Sequence, residues 1–332
     1  MENTQENTKF NKITDILGKW LSITNHRKKI RYNYFAGSLL YIIKNNQNDS
    51  SDISDTEIYN KFKKEISNLS EFPPEALAAG IGMYMIMSYL SYRVHGEIIN
   101  KDSIFYICLL YIDLDYIIDS TKNPKKYISS VQKFIESDRK EYKRTGKIKE
   151  YTGNDRRFVW YRKIVEENLN LIEHIYNLFV SEAKSYFIQK KTPFVTRSFL
   201  KSITKEKSKC TAELLCAILN IFDLNVIQDV VQLGYISQIL DDMFDLDEDR
   251  RDGIHTLVTF ELENSGNIDN LFEELLEKID NIENKYNEIR IGMFYLALYT
   301  ISKYKILSRE MMLLVEPYIL LDHRYNINLK LY

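Results

Sequence analysis

Three aspartates spaced at i, i+4 and i+8, Asp241, Asp245 and Asp249, stand in the stretch Gln238-Ile-Leu-Asp-Asp-Met-Phe-Asp-Leu-Asp-Glu-Asp249. On a helix, at roughly 100° per residue, they share about one quadrant with Gln238 and with Gly234, which leaves room on the same face. Ile236, Ile239, Leu240, Met243 and Leu246 take the other side. Asp242 lies at the edge of the stripe, and Asp247 projects away from it as a solvent contact at the helix end. Carboxylates about 6 Å apart repel by ~3 kcal/mol per pair at an effective dielectric of about 20, and like charges at i,i+4 weaken the helix. Water over an exposed face would relieve the repulsion. So would hard divalent cations, which take carboxylate oxygens and complete their shell with substrate phosphates.

A second pair, Asp115 and Asp119, closes the apolar run Tyr111-Ile-Asp-Leu-Asp-Tyr-Ile-Ile-Asp119. The two share a face with Cys108 and Tyr111, whereas Asp113 points about 160° away from Asp115. Carboxylates at a helix C-terminus oppose the macrodipole, so this pair either frays into water or meets a cation. If the two acidic faces oppose one another across a bundle, they would form the rim of an apolar cavity. Such a rim suits metal ions bridging a diphosphate, with a hydrocarbon chain below. The 24 Tyr and 16 Phe supply candidates for a lining that shelters a cation, although most serve the core.

The elements that must carry these residues read as helices throughout. Apolar residues recur at helical spacing over positions 10–21, 32–43, 57–69, 75–92, 102–119 and 127–142, and then in one long helix over 158–188. Another helix begins at Thr192-Pro-Phe-Val-Thr-Arg197, a strongly apolar one covers 209–222, and the acidic helix starts near Asn225. Helices at 268–286, 289–304 and 307–321 follow, making about eleven to thirteen in one bundle. Asn45 to Thr56 and Lys143 to Asp155 read as loops, and Pro73-Pro74 opens the helix at 75. The apolar run Ala76 to Leu90 is shorter than the roughly 20 residues of a bilayer span and reads as a buried helix.

Composition agrees. With 332 residues, 45% hydrophobic, the chain can bury a large core, and 11 Gly with 5 Pro are too few turn formers for a many-stranded β protein. The expectation is one all-α domain over 1–332, with 1–9 a tail and 30–325 the bundle around a central apolar cavity. The net charge of −2 offers no global field for nucleic acid. The cluster His26-Arg-Lys-Lys-Ile-Arg31 reads as a solvated helix start. Cys108, Cys210 and Cys216 lack metal or redox spacing, and the polar N-terminus lacks a secretory pattern. Buried free thiols and a cytoplasmic location are expected.

The motifs resemble those of the class I terpenoid synthases, the all-α superfamily of prenyl diphosphate synthases, squalene and phytoene synthases and class I terpene cyclases. Gln238-Ile-Leu-Asp241-Asp242-Met-Phe-Asp245 resembles the glutamine-plus-DDxxD motif of prenyl diphosphate synthases. Asp249-Arg-Arg-Asp-Gly-Ile-His-Thr256-Leu resembles the following D-x-x-x-G-K-x-T-L segment, with Ile254 where that family has Lys. In the cyclase register Asp241, Asp245 and Asp249 take the three metal-binding positions of the second motif. Asp115-Tyr-Ile-Ile-Asp119 is similar to the DxxxD motif of squalene and phytoene synthases and of bacterial large-terpene synthases. Arg197, Lys209 and the pair Arg324-Tyr325 are similar in placement to cyclase groups that touch the diphosphate. A glycine-bearing basic segment and an arginine pair after the first motif, which chain elongation would require, are absent: Ser120-Thr-Lys-Asn follows Asp119.

The resemblance implies a Mg²⁺-dependent class I terpene synthase that ionises an allylic prenyl diphosphate and cyclises or rearranges the cation. Asp115, Asp119, Asp241, Asp242, Asp245 and Asp249 would hold the metal, three Mg²⁺ in the family's manner with Mn²⁺ as the alternative ion. Gln238, Arg197, Lys209, Arg324 and Tyr325 would bind the diphosphate. The partners expected are this substrate and a second copy in a homodimer, with no nucleic acid and no transmembrane segment. The rival readings are a prenyltransferase condensing two isoprenoid units and a non-catalytic helical-bundle subunit.

Overall fold

A computed structural model describes residues 60–62, 64–65, 74–120, 124–191, 195–283 and 286–323. The helices expected over 10–21 and 32–43, most of the one over 57–69, the basic cluster at 26–31, and Arg324 and Tyr325 lie outside these residues. Every regular element among the described residues is helical: α1 (Pro74–His95), α2 (Lys101–Ser120), α3 (Pro124–Thr145), α4 (Arg156–Glu167), α5 (Leu171–Lys191), α6 (Arg197–Ile218), α7 (Leu224–Phe244), α8 (Leu246–Asp252), α9 (Leu257–Ser265), α10 (Asp269–Asn281), α11 (Asn287–Tyr304) and α12 (Arg309–His323). None of these helices is long and apolar enough to cross a membrane.

Backbone contacts gather the described residues into two compact units, one of 60–186 with 210–227 and the other of 187–209 with 228–323. In the first, α2 packs on α1, α3 and α4. The run Ile104 to Leu110 is buried over almost two full turns, so α2 is enclosed nearly all round. Two ion pairs lie here: in the buried one Arg162 Nη2 donates to Asp138 Oδ1 at 2.9 Å, and in the other the half-buried Arg157 has its Nε 2.8 Å from Oδ2 of the buried Asp113. In the second unit α8 through α12 pack in sequence order, and α10 buries Leu271, Phe272, Leu275, Leu276 and Ile279. Arg290 of α11, 1% exposed, donates to the carbonyls of Ile279 and Asp280 and so closes the C-terminal end of α10.

The helix boundaries depart from expectation in several places. The long helix over 158–188 is two helices, divided at Asn168-Leu-Asn170. Asn168 is extended, and its side chain accepts from the Asn170 N–H, a local turn that competes with the helix. The separate helices expected before and after position 209 are one, α6. Its Thr204 and Ser208 hydroxyls donate to carbonyls one turn back instead of breaking the helix. Helix α9 has no counterpart in the periodicity reading, yet Thr256 caps it and Gly266 ends it in the left-handed conformation. Cys108 and Cys216 are buried free thiols and Cys210 is half-buried; burial raises Cys216 to about 12.

Candidate functional site: the acidic run of α7 and α8

The acidic stretch is interrupted. Helix α7 stops at Phe244, and Asp245, at φ −90° and ψ 8°, opens the seven-residue α8. Tyr304 of α11 donates its hydroxyl to the Phe244 carbonyl at 2.8 Å, supplying the partner that a helix end needs. The backbone ladder survives the break along the stripe, since Asp245 N donates to Asp241 O at 2.9 Å and Asp249 N to Asp245 O at 2.8 Å. Asp247, Glu248 and Asp249 occupy the first turn of α8, where acidic side chains complement the helix dipole. That placement relieves part of the repulsion which one continuous helix would have carried.

Burial then sorts the aspartates differently from helical spacing. Ile236, Ile239, Leu240, Met243 and Leu246 form the buried back as expected. On the front, Asp241 and Asp245 are exposed, while Asp242 and Asp249 are each only 8% exposed, and Asp247, off the stripe, meets solvent as expected. Asp242, placed at the edge of the stripe by spacing, is therefore one of its two buried members. Its carboxyl is held well above the usual carboxylate range by burial and then by the charge of Asp249, with Lys207 pulling the other way. Its Oδ2 is buried without a hydrogen-bond partner. Asp241 is also raised, by the protein crowded around its carboxylate, against the pull of Lys207 and of Gln238. The Gln238 amide lies 3.4 Å from Asp241 Oδ2.

A carboxylate raised by burial and then by a second carboxylate, with one oxygen left unpaired, has the chemistry of a divalent-cation ligand. Among the described residues, however, no three His, Cys, Asp or Glu side chains converge as a metal-holding group. The backbone of α2 carries Asp115 and Asp119 in its last two turns, as expected, but their side chains lie outside what the structure describes.

The basic groups are distributed unevenly. Arg197, the first residue of α6, pairs through Nε with the buried Glu261 of α9 and lies 3.6 Å from Glu274 of α10. Glu274 also takes Lys201 Nζ at 2.7 Å and the Tyr235 hydroxyl at 3.1 Å. Lys209 is exposed on α6. The lysine of α6 whose charge acts on Asp241 and Asp242 is Lys207, two residues earlier. Spacing did not single it out, because only the packing of α6 against α7 shows which side of α6 meets the acids. That packing also corrects the reading of Gly234. A Cβ there would meet the Ser208 carbonyl oxygen at 3.2 Å, so Gly234 lets α6 approach α7 closely and does not leave room for a ligand.

The segment after the acidic run has a local explanation. Gly253, left-handed at φ 67°, ends α8 with its N–H on the Asp249 carbonyl, and Ile254 N donates to the same oxygen at 2.8 Å. His255 N donates to Gln189 O at 3.1 Å, and Thr256 starts α9 in a capping box with Thr259. Asp249, Gly253 and Thr256 thus stand where a tight helix-to-helix corner needs them. No family model matches the chain, and neither a characterised protein nor a solved structure does.

Proposed function

We propose that this protein is a Mg²⁺-dependent class I terpene synthase that ionises an allylic prenyl diphosphate and cyclises or rearranges the resulting cation. The observation that carries the reading is the buried pair Asp242 and Asp249, in which Asp242 is raised by burial and then by its neighbour and keeps one oxygen unpaired. Asp242 and Asp249, with the exposed Asp241 and Asp245, would hold the cation on α7 and α8, and Asp115 and Asp119 would be the metal carboxylates of α2. Mg²⁺ held by these carboxylates would supply the positive charge that a departing diphosphate needs. Lys207 lies where its charge acts on the acids, and Gln238 orients Asp241 through its amide. Lys209, Arg324 and Tyr325 remain assigned to the diphosphate, together with Arg197, which must then exchange part of its hold on Glu261 and Glu274 for the substrate. Aromatic residues around an apolar cavity would exclude water from the cation.

The test is incubation of purified protein with Mg²⁺ and ten-, fifteen- and twenty-carbon allylic diphosphates, with inorganic diphosphate and extracted hydrocarbon as readouts. Diphosphate release that stops in chelator and in Asp242→Ala is expected. No release from any substrate would sink the reading, and a longer linear product on adding isopentenyl diphosphate would select a condensing enzyme instead.

A second reading is favoured by the helix-end chemistry: a non-catalytic helical protein. Its acids lie in the first turn of α8, Gly253 and Thr256 shape a corner, Arg197 is committed to carboxylates, and no three-ligand group occurs among the described residues. Absence of any Mg²⁺-dependent shift in melting temperature with a diphosphate ligand would select it.

A further inference from the structure

Helix α2 is apolar on nearly every side, so burial alone leaves its rotation about its own axis weakly specified. The hydrophobic effect is non-directional, and Ile104 to Leu110, Ile112 and Leu114 are all at most 8% exposed. Directional bonds must choose the rotation. In the first half of the helix, Ser103 Oγ donates to Glu167 Oε2 at 2.5 Å, and Lys163 Nζ donates to the Tyr106 hydroxyl at 2.7 Å. Both tie α2 to α4.

In the second half the task falls on Asp113, 1% exposed and surrounded in sequence by apolar residues. Its Oδ2 accepts the Tyr127 hydroxyl of α3 at 2.5 Å and lies 2.8 Å from Arg157 Nε of α4. The Arg157 guanidinium also covers the Tyr127 ring, 4.8 Å from its centroid, and the Arg157 N–H is held by Asp155, the N-cap of α4, at 3.0 Å. One carboxylate oxygen thus joins three helices, while Asp113 Oδ1 stays buried without a partner. A leucine would fill such a site at less cost, because a buried ion pair seldom repays its desolvation. What the pair supplies and a leucine does not is direction.

We propose that Asp113, with Tyr127 and Arg157, is the positioning residue for the end of α2 that carries Asp115 and Asp119. This rests on the reading of those two aspartates as metal carboxylates. Positions 115 and 119 lie roughly 160° and 120° around the helix from position 113. A carboxylate anchored on one side therefore fixes the azimuth of the pair on the other.

The variants that test this are Asp113→Asn, which keeps the shape and removes the charge, and Tyr127→Phe, which removes a single donor. Two readouts are needed: the Mg²⁺ concentration for half-maximal diphosphate release, and amide hydrogen exchange over residues 113–120. Asp113→Asn is expected to need on the order of tenfold more Mg²⁺ and to exchange faster over 113–120. Tyr127→Phe should move both the same way by a smaller factor, and it carries the test if Asp113→Asn fails to fold. A merely structural role lowers the melting temperature without moving the Mg²⁺ dependence. Folded variants with the wild-type Mg²⁺ dependence, or with unchanged exchange over 113–120, overturn the proposal. If the wild-type protein releases no diphosphate, the functional reading has failed, and unchanged exchange in the variants then separately shows that Asp113 does not order this helix end.

Discussion

Asp242 and Asp249 stand on either side of the helix break at Asp245, both buried, with the charge of one raising the pKa of the other. Its folded-state pKa being raised, Asp242 destabilises the fold at neutral pH. The penalty is absent below the ordinary value of 3.8 and grows as pH rises through the raised pKa. In chelator, Asp242→Asn is expected to be more stable than wild type at neutral pH by about 1 kcal/mol or more, and the gain should shrink on acidification. Melting curves from about pH 4 to about pH 8 check this, and a gain independent of pH would contradict it.

Two glycines separate close approach from open space. A Cβ on Gly82 of α1 meets nothing within 4 Å, whereas one on Gly234 of α7 meets the Ser208 carbonyl oxygen at 3.2 Å. Gly82→Ala should stabilise by about 0.5–1 kcal/mol through helix propensity. Gly234→Ala should lose that gain and destabilise by about 1 kcal/mol, because the obstacle is backbone and α6 must shift. Urea denaturation of the two variants gives the comparison.

Arg162 and Asp138 form an ion pair 5% and 4% exposed, and Arg162 Nε and Nη1 have no hydrogen-bond partner. Removing only the acid, as in Asp138→Ala, leaves a buried guanidinium and should cost about 3–5 kcal/mol. Replacing both with apolar residues of similar volume should cost far less. A double-mutant cycle in urea measures the difference, and equal losses would count against this account.

Arg197 tests the balance between structure and substrate. Glu261, 4% exposed, has Arg197 as its partner, so Arg197→Ala should cost about 1–3 kcal/mol in stability whatever the protein does. If Arg197 also meets a diphosphate, the variant should in addition lose Mg²⁺-dependent stabilisation by inorganic diphosphate. Thermal shift with and without the anion separates the two losses.

Much of the fold was legible because helix signals are local. Pro74 opens α1, the apolar period marks α2 and α10, and the buried back of α7 follows from spacing alone. The errors came where local signals compete. Asn168 and Asn170 divide an otherwise periodic run, while the hydroxyls of Thr204 and Ser208 fold back onto α6, which continues through position 209. The acidic run proposed as a site stood out in composition, and its burial did not. Asp242 was found to be an interior carboxylate, Gly234 a packing contact and Lys207 the α6 cation acting on the acids.

By itself the sequence determined that this chain is helical, where most helices begin and end, and that acidic residues gather on the face opposite an apolar back. Those are properties of period, caps and scarce breakers, each readable within a few turns. Only the tertiary structure decided that the run breaks at Asp245, where Tyr304 takes the Phe244 carbonyl, and that Asp242 and Asp249 are the buried pair. Only it revealed Asp113 as the carboxylate joining α2 to α3 and α4. Spacing places a side chain on a helix face; which neighbour covers that face depends on residues far away in the chain, and burial by that neighbour sets the cost of a charge.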